Sequence, residues 1–271
     1  MRLGPARMAA MLEAAGFDSL WVSDHIVFPH ETTSRYPFAE DGQVTWPLDD
    51  PYLEPLVVLG AAAAVTSRIA LGTSVVIAPI RNPVLLAKQA ATVDAISKGR
   101  LVLGVGAGWL REEFEALGAD FASRGEALDE WIAIARACWT GSAGPFEGKH
   151  YRLPGPIYCR PAPAGGIPIL VGGMSRAALR RAAAADGWLG QYALPTMSER
   201  DIAAAAGGMG SGEHRVVVRI TGAAGRLDAL APRLGGLVAV GVTEVIVDLD
   251  WSHDDGPARG AETLRAAVAG H

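Results

Sequence analysis

Short apolar runs rich in β-branched residues alternate along this chain with stretches whose apolar positions recur every three to four residues. That is the rhythm of strands followed by amphipathic helices, and its repetition points to a parallel sheet. Residues 19–24 form the first clear strand and residues 69–78 the second, with small or apolar side chains on both faces. A strand buried on both faces belongs to a sheet covered by helices. Residues 101–106, 168–172, a weaker 187–192, 215–222 and 243–250 complete a set of seven. Between them, Leu110, Phe114, Leu117 and Phe121 make a helical stripe suited to docking on the sheet. Residues 178–185 and 257–269 read as further helices, and Gly99 suits the left-handed residue that ends a helix before a strand.

This pattern predicts an α/β protein of the TIM-type (β/α)8 class, one strand short of a closed barrel. Residues 1–271 read as a single domain, because no repeat or linker interrupts them. Residues 140–167, rich in Gly and Pro, read as an excursion with a hairpin near 146–153. Met1-Arg2-Leu3-Gly4 leads straight into Pro5 and a helical run over 6–15, leaving no room for a barrel strand before it. Seven strands are therefore expected, with 19–24 and 243–250 flanking a breach. Pairing across the gap, a neighbouring subunit or upstream residues lost through a misplaced start would each cover these edges, and the reading favours the last.

Composition narrows the function classes. Half of the residues are hydrophobic, 20% are charged and the net charge is -5, so nothing favours a nucleic-acid or membrane-surface role. No signal peptide opens the chain and no apolar run reaches a membrane span, so the protein reads as cytoplasmic; a homodimer is compatible with it. The two cysteines, Cys138 and Cys159, match no disulfide framework or metal motif, and Cys138 sits in a helical pattern as a buried thiol. Lysine is scarce (Lys88, Lys98, Lys149) and asparagine appears once, at Asn82, a bias typical of GC-rich genomes.

Parallel barrels carry their chemistry at the carboxyl ends of their strands. There the sequence offers Asp24-His25, an acceptor beside a group that titrates near neutrality, or else a capping acid beside a packed loop histidine. It offers Ser74-Val75 after the second strand and Gly106-Ala107-Gly108-Trp109 after the third. This glycine loop is too short for a dinucleotide fingerprint and reads as clearance for a flat ring. Gly172-Gly173-Met174-Ser175 precedes a helix bearing Arg176, Arg180 and Arg181. Its amides could cradle a phosphate, while Ser175 could equally cap the helix. No clustered metal ligands, Walker motif or nucleophile elbow is present.

These residues bring a resemblance with them. Ala15-Gly16-Phe17-Asp18-Ser19-Leu20-Trp21-Val22-Ser23-Asp24-His25 resembles the opening of luciferase-like monooxygenases, particularly their deazaflavin (coenzyme F-420) branch. Arg81-Asn82-Pro83, Ser97-Lys98-Gly99-Arg100-Leu101, Trp109-Leu110-Arg111-Glu112-Glu113-Phe114 and Ile169-Leu170-Val171-Gly172-Gly173 are similar to that family in the same order. The resemblance implies a cofactor ring held at the strand ends, with Asp24 near its polar edge and His25 near the reacting carbon or the substrate. It also implies a non-proline cis peptide at Ser74–Val75, a phosphate on Gly172, Gly173 and Ser175, and Gly106 beside the ring. Two departures stand out: the missing first strand, and a short, glycine-rich 194–214 where relatives carry a longer helix. The implied activity is hydride transfer between reduced coenzyme F-420 and a small organic substrate, with His25 handling the proton. The alternatives are an FMN-dependent monooxygenase using oxygen, a non-catalytic flavin-binding barrel, and an unrelated phosphate-binding barrel enzyme.

Overall fold

The apolar runs become seven parallel strands that pair in chain order: β1 (Ser19–Val22), β2 (Ala70–Thr73), β3 (Leu101–Gly106), β4 (Ile169–Gly172), β5 (Gly187–Ala193), β6 (Arg215–Thr221) and β7 (Glu244–Val247). The structure is a computed structural model that describes residues 3–44, 46–210, 212, 214–251, 253 and 255–269. Met1 and Arg2 lie outside the described residues, as do Ser211 and Glu213 of the glycine-rich segment. That segment still holds a helix, Glu199–Gly207, capped by Ser198.

Successive side chains of a strand point to opposite faces, and the two faces bury different cores. Inside the ring, Val102, Leu170, Leu189, Val217 and Ile246 pack with Trp21 and Val75. Outside it, Leu103, Val105, Val171, Trp188, Val218 and Ile220 face the helices. Those helices include α1 (Pro5–Ala15), α2 (Pro55–Val65), α3 (Pro83–Ser97), α4 (Arg111–Ala116), α5 (Arg124–Trp139) and α6 (Arg176–Ala184). Gly99 is left-handed as expected, and Lys98 before it shares that conformation.

The second sequence run does not stay one strand. Its backbone breaks at Ser74–Val75, a cis peptide as the resemblance implied, and resumes as the two-residue strand Val76–Ile77 beside β3. The stripe from Leu110 to Phe121 needs a larger correction. Helix α4 ends at Ala116, Gly118 turns left-handed, and Leu117 is exposed. The excursion holds the expected hairpin, Phe146–Glu147 against Arg152–Leu153.

The barrel stays open between β1 and β7, where no backbone pairing exists among the described residues. Two devices span that seam. Inside, Glu244 Oε1 accepts hydrogen bonds from Ser19 Oγ (2.5 Å) and Trp21 Nε1 (2.8 Å), while Oε2 accepts from Arg215 (2.9 Å). Nearer the mouth, Arg219 donates to Ser23 Oγ (2.7 Å) and to Asp248 (3.1 Å). Outside, α1 packs against the helix Gly256–Ala269, so the helical layer closes where the strand layer does not. Side chains and helices thus bridge the seam without direct backbone pairing across it among the described residues.

Candidate active site

His25 follows β1 at the carboxyl end of the barrel and is 7% exposed. Its Nδ1 lies 2.9 Å from Oε2 of Glu113, which is fully buried. Glu113 Oε1 accepts from the amides of Ile26 (2.6 Å) and Val27 (3.4 Å). With Glu113 as carboxylate, Nδ1 carries the hydrogen, and in the neutral ring Nε2 then carries the lone pair. The neighbouring Glu112 does parallel work: its Oε1 takes Thr33 N (2.6 Å), Thr33 Oγ1 (2.8 Å) and Ser34 N (3.1 Å). Burial pushes the Glu112 carboxyl up, but hydrogen bonds from Ser34 and Thr33 outweigh it and bring it down to about 2. Both acids stand in the first turn of α4, where the helix dipole favours negative charge. The pair therefore clamps the loop after β1 over the barrel mouth.

Asp24 is buried, and its carboxylate is already engaged. Arg81 grips it through both terminal nitrogens (2.6 and 2.8 Å), and the amide of Ile77 adds a third bond at 2.8 Å. It therefore ties β1 to the segment after the Ser74–Val75 peptide. Ser74 is buried, its amide donating to Val22 O (2.8 Å) and its carbonyl lying 3.5 Å from Arg219.

Aromatic rings enclose His25. Phe28, Trp109 and Tyr52 have centroids 4.4, 5.7 and 5.8 Å from its ring. Tyr36 Oη accepts from Gln191 (2.7 Å), and Tyr52 bonds Ser23. Burial pushes both phenols up; those hydrogen bonds and the Arg219 charge work against it.

The second cluster lies where β4 meets α6. Ser175 caps the helix, its Oγ accepting from Ala178 N (3.2 Å). Gly173 has φ +119°, a conformation that L side chains rarely adopt. Its amide makes only a long 3.4 Å contact to Leu189 O, and its carbonyl takes Trp188 Nε1 (2.8 Å). Val75 projects over Gly106 and Gly172: a Cβ on either would come within 2.6 or 2.7 Å of its methyls. The clearance at Gly106 is thus filled by Val75, so a ring would meet that side chain before the glycine. Of the nearby arginines, Arg181 is turned to Asp129 (2.6 and 2.9 Å). Arg111 and Arg124 stack on Phe121, 4.4 and 3.8 Å from its centroid; Arg124 also donates to the carbonyls of Gly108 (3.1 Å) and Phe121 (2.8 Å), and neither guanidinium meets a carboxylate among the described residues. Burial lowers the Arg124 pKa, and the Arg111 charge lowers it further.

This donor set fits a planar cofactor with an anionic tail. Ser175 takes the amide of Ala178, which leaves those of Arg176 and Ala177 without an intrahelical acceptor; two guanidinium groups lack an anion, and Val75 offers an apolar face. Among the described residues no group of side chains suits a metal ion, and no helix is long and apolar enough to cross a membrane. Sequence reasoning singled out neither Glu113 nor Arg219 nor the arginine pair. A signal for Glu113 existed: it lies three residues after Leu110 and four before Leu117, an acid on an apolar stripe.

Comparison with known proteins agrees with this architecture. A Mycobacterium tuberculosis protein described as uncharacterized is 42% identical over 196 residues, 72% of this chain and 68% of that protein. An F420-dependent glucose-6-phosphate dehydrogenase of Nakamurella multipartita is 36% identical over 197 residues, 69% of this chain and 52% of its own length. The crystal structure of a monooxygenase from Streptomyces bottropensis matches with a TM-score of 0.75 at 19% identity, over 98% of this chain and 92% of that one. That last likeness is one of fold. Residues 5–235 match the model of the luciferase-like monooxygenases, and the chain belongs to that family.

Proposed function

We propose that this protein transfers a hydride between coenzyme F-420 and a small organic substrate, with His25 moving the accompanying proton. The observation that carries the reading is the buried His25–Glu113 pair, 2.9 Å apart at the carboxyl end of β1. Glu113 holds the imidazole through Nδ1, and Nε2 is left to take or give a proton. When bound, the deazaflavin supplies hydride chemistry at its ring carbon. Gly172, Gly173 and the opening turn of α6 would hold its phosphate, Arg111 and Arg124 its acidic tail, and Val75 would back the ring. Asp24 serves the same site indirectly, by fixing the backbone on which Val75 stands. The F420-dependent relative supports this cofactor over FMN.

Titrating the protein with coenzyme F-420 and with FMN, followed by fluorescence, tests the cofactor. His25→Ala should then cut turnover by about 10²–10⁴-fold while leaving cofactor affinity near the wild-type value. Tighter binding of FMN with oxygen-dependent turnover would replace this reading with a monooxygenase. Binding of either without turnover would leave a carrier barrel.

A further inference from the structure

The chain holds two cysteines in 271 residues, and the fold brings both to Gly141. Cys138 stands one residue before the end of α5, and its carbonyl accepts from the Gly141 amide (3.0 Å). Cys159 follows the short strand Ile157–Tyr158, and its amide donates to the Gly141 carbonyl (3.1 Å). The first bond closes a turn, which keeps the Cα atoms of its ends within about 7 Å. The second extends the antiparallel pairing of Ser142 with Tyr158, in which facing Cα atoms lie about 4.5–5.5 Å apart. Beside Gly141 the two side chains meet, and the Cys138 thiol donates to the Cys159 sulfur. A buried residue touches about 6–12 others, so two residues placed at random in a chain of this length meet only about 2–4% of the time.

The surroundings of the two thiols differ in the way a two-step oxidation needs. Cys138 is 3% exposed within the main core, whereas Cys159 rests on that core and keeps part of its surface in solvent. Burial pushes the Cys138 thiol up to about 12, so it stays protonated while Cys159 meets a small oxidant such as hydrogen peroxide. Cys159 loses its proton and its sulfur attacks one peroxide oxygen. An S–O bond forms, the O–O bond breaks, and the departing hydroxide takes up the proton as water. The resulting sulfenic acid faces the Cys138 thiol, whose sulfur attacks it. An S–S bond forms, the S–O bond breaks, and the Cys138 proton leaves with the hydroxyl as a second water. Two thiols are oxidised, one peroxide is reduced to two waters, and the chain has no third thiol to compete.

We propose that Cys138 and Cys159 form a reversible, peroxide-driven disulfide that ties the end of α5 to the chain after Ile157–Tyr158. Such a bond needs Cα atoms about 4.4–6.8 Å apart, the range that the two hydrogen bonds at Gly141 already favour. What must move to close it is held by the two-residue strands Ser142–Ala143 and Ile157–Tyr158, so the adjustment is local. The site is independent of the cofactor and of His25.

The test treats the reduced protein with a small excess of hydrogen peroxide, then denatures it, alkylates it with iodoacetamide and maps it by mass spectrometry without reductant. The expected product is a monomeric chain lighter by two hydrogens that takes up no iodoacetamide, with the Cys138 and Cys159 peptides linked. Dithiothreitol should restore both thiols. Cys138→Ala removes the second thiol, so Cys159 should remain as a sulfenic acid that dimedone captures, with a circular dichroism spectrum like that of the wild type. Cys159→Ser should leave Cys138 reduced after the same exposure. The wild-type map decides the matter even where a variant fails to fold. Oxidised Cys159 beside a free Cys138, a disulfide between two chains, or two surviving thiols would each overturn the proposal.

Discussion

Arg81 holds Asp24 with two parallel hydrogen bonds, 2.6 and 2.8 Å long, in a pocket where the aspartate side chain has no exposed surface and the arginine 10%. Such a buried pair is weak evidence of added stability, yet removing one partner leaves a charge stranded. Asp24→Asn should lower unfolding stability by up to about 3–5 kcal/mol, softened because Glu54 stands 3.5 Å from Arg81. Urea denaturation measures this, and Asp24→Leu combined with Arg81→Met should recover much of the loss. Cofactor affinity of the folded Asp24→Asn protein should fall only modestly, through the loosened backbone beside Val75. A collapse of affinity without loss of stability would instead place Asp24 against the ring.

Gly173 tests the phosphate cradle. Its φ of +119° and the Ala178 Cβ, 3.1 Å from where its own would stand, make any side chain costly there. Gly173→Val should lower stability by about 1–3 kcal/mol and weaken coenzyme binding by a further measurable factor. Thermal unfolding and cofactor titration separate the two, and unchanged affinity would remove the cradle from the site.

An acid-side effect should come from Glu13. Its carboxylate accepts from the amides of Ile69 (2.9 Å), Arg68 (2.7 Å) and Ser67 (3.0 Å), joining α1 to the turn before β2. The Ile69 amide leads in lowering its pKa from 4.5 to about 2, against some opposition from burial. A carboxyl depressed in the folded state contributes stability above its ordinary pKa and loses it as pH falls through the folded value. Wild-type urea midpoints should therefore drop between about pH 4.5 and 2, and Glu13→Gln should flatten that part of the profile. Equal slopes in the two proteins would contradict the role given to Glu13.

The thiols should differ sharply. Burial, helped by the adjacent Cys159, pushes Cys138 up to about 12, and Cys138 is 3% exposed. Only the thiolate reacts with thiol reagents, so at pH 8 the half-buried Cys159 should be labelled first and Cys138 only after denaturation. Peptide mapping of protein labelled with iodoacetamide decides this.

These cases show what the sequence makes legible. Residues 101–106 form a strand as read because all six are buried, a property visible in six consecutive small or apolar residues. The Asp24-His25 dipeptide was visible for the same reason as any strand-end pair: its position follows from the strand. Glu113 was not, because its partner lies 88 positions away and an acidic pair in a first helical turn already has a reason to exist. Arg219 escaped for a related reason. A charge inside a barrel strand looks like a solvent-facing alternation until the fold supplies Ser23 and Asp248 as its partners. The stripe through Phe121 misled because periodicity ignores a chain reversal at Gly118, after which Phe121 stacks on arginines instead of the wall.

The seam between β1 and β7 gives the barrel a mechanical property that a fully laddered ring lacks. A ladder of backbone hydrogen bonds fixes circumference and shear together, and neither can change without several bonds breaking at once. Here two side-chain groups, centred on Glu244 and Arg219, join the ends, and each can lengthen or re-aim alone. The mouth is therefore expected to adjust its width at that unlaced edge, with His25 following β1 at one side of it. Hydrogen exchange should report it as faster amide turnover in β1 and β7 than in β3 and β4, and cofactor binding should narrow the difference.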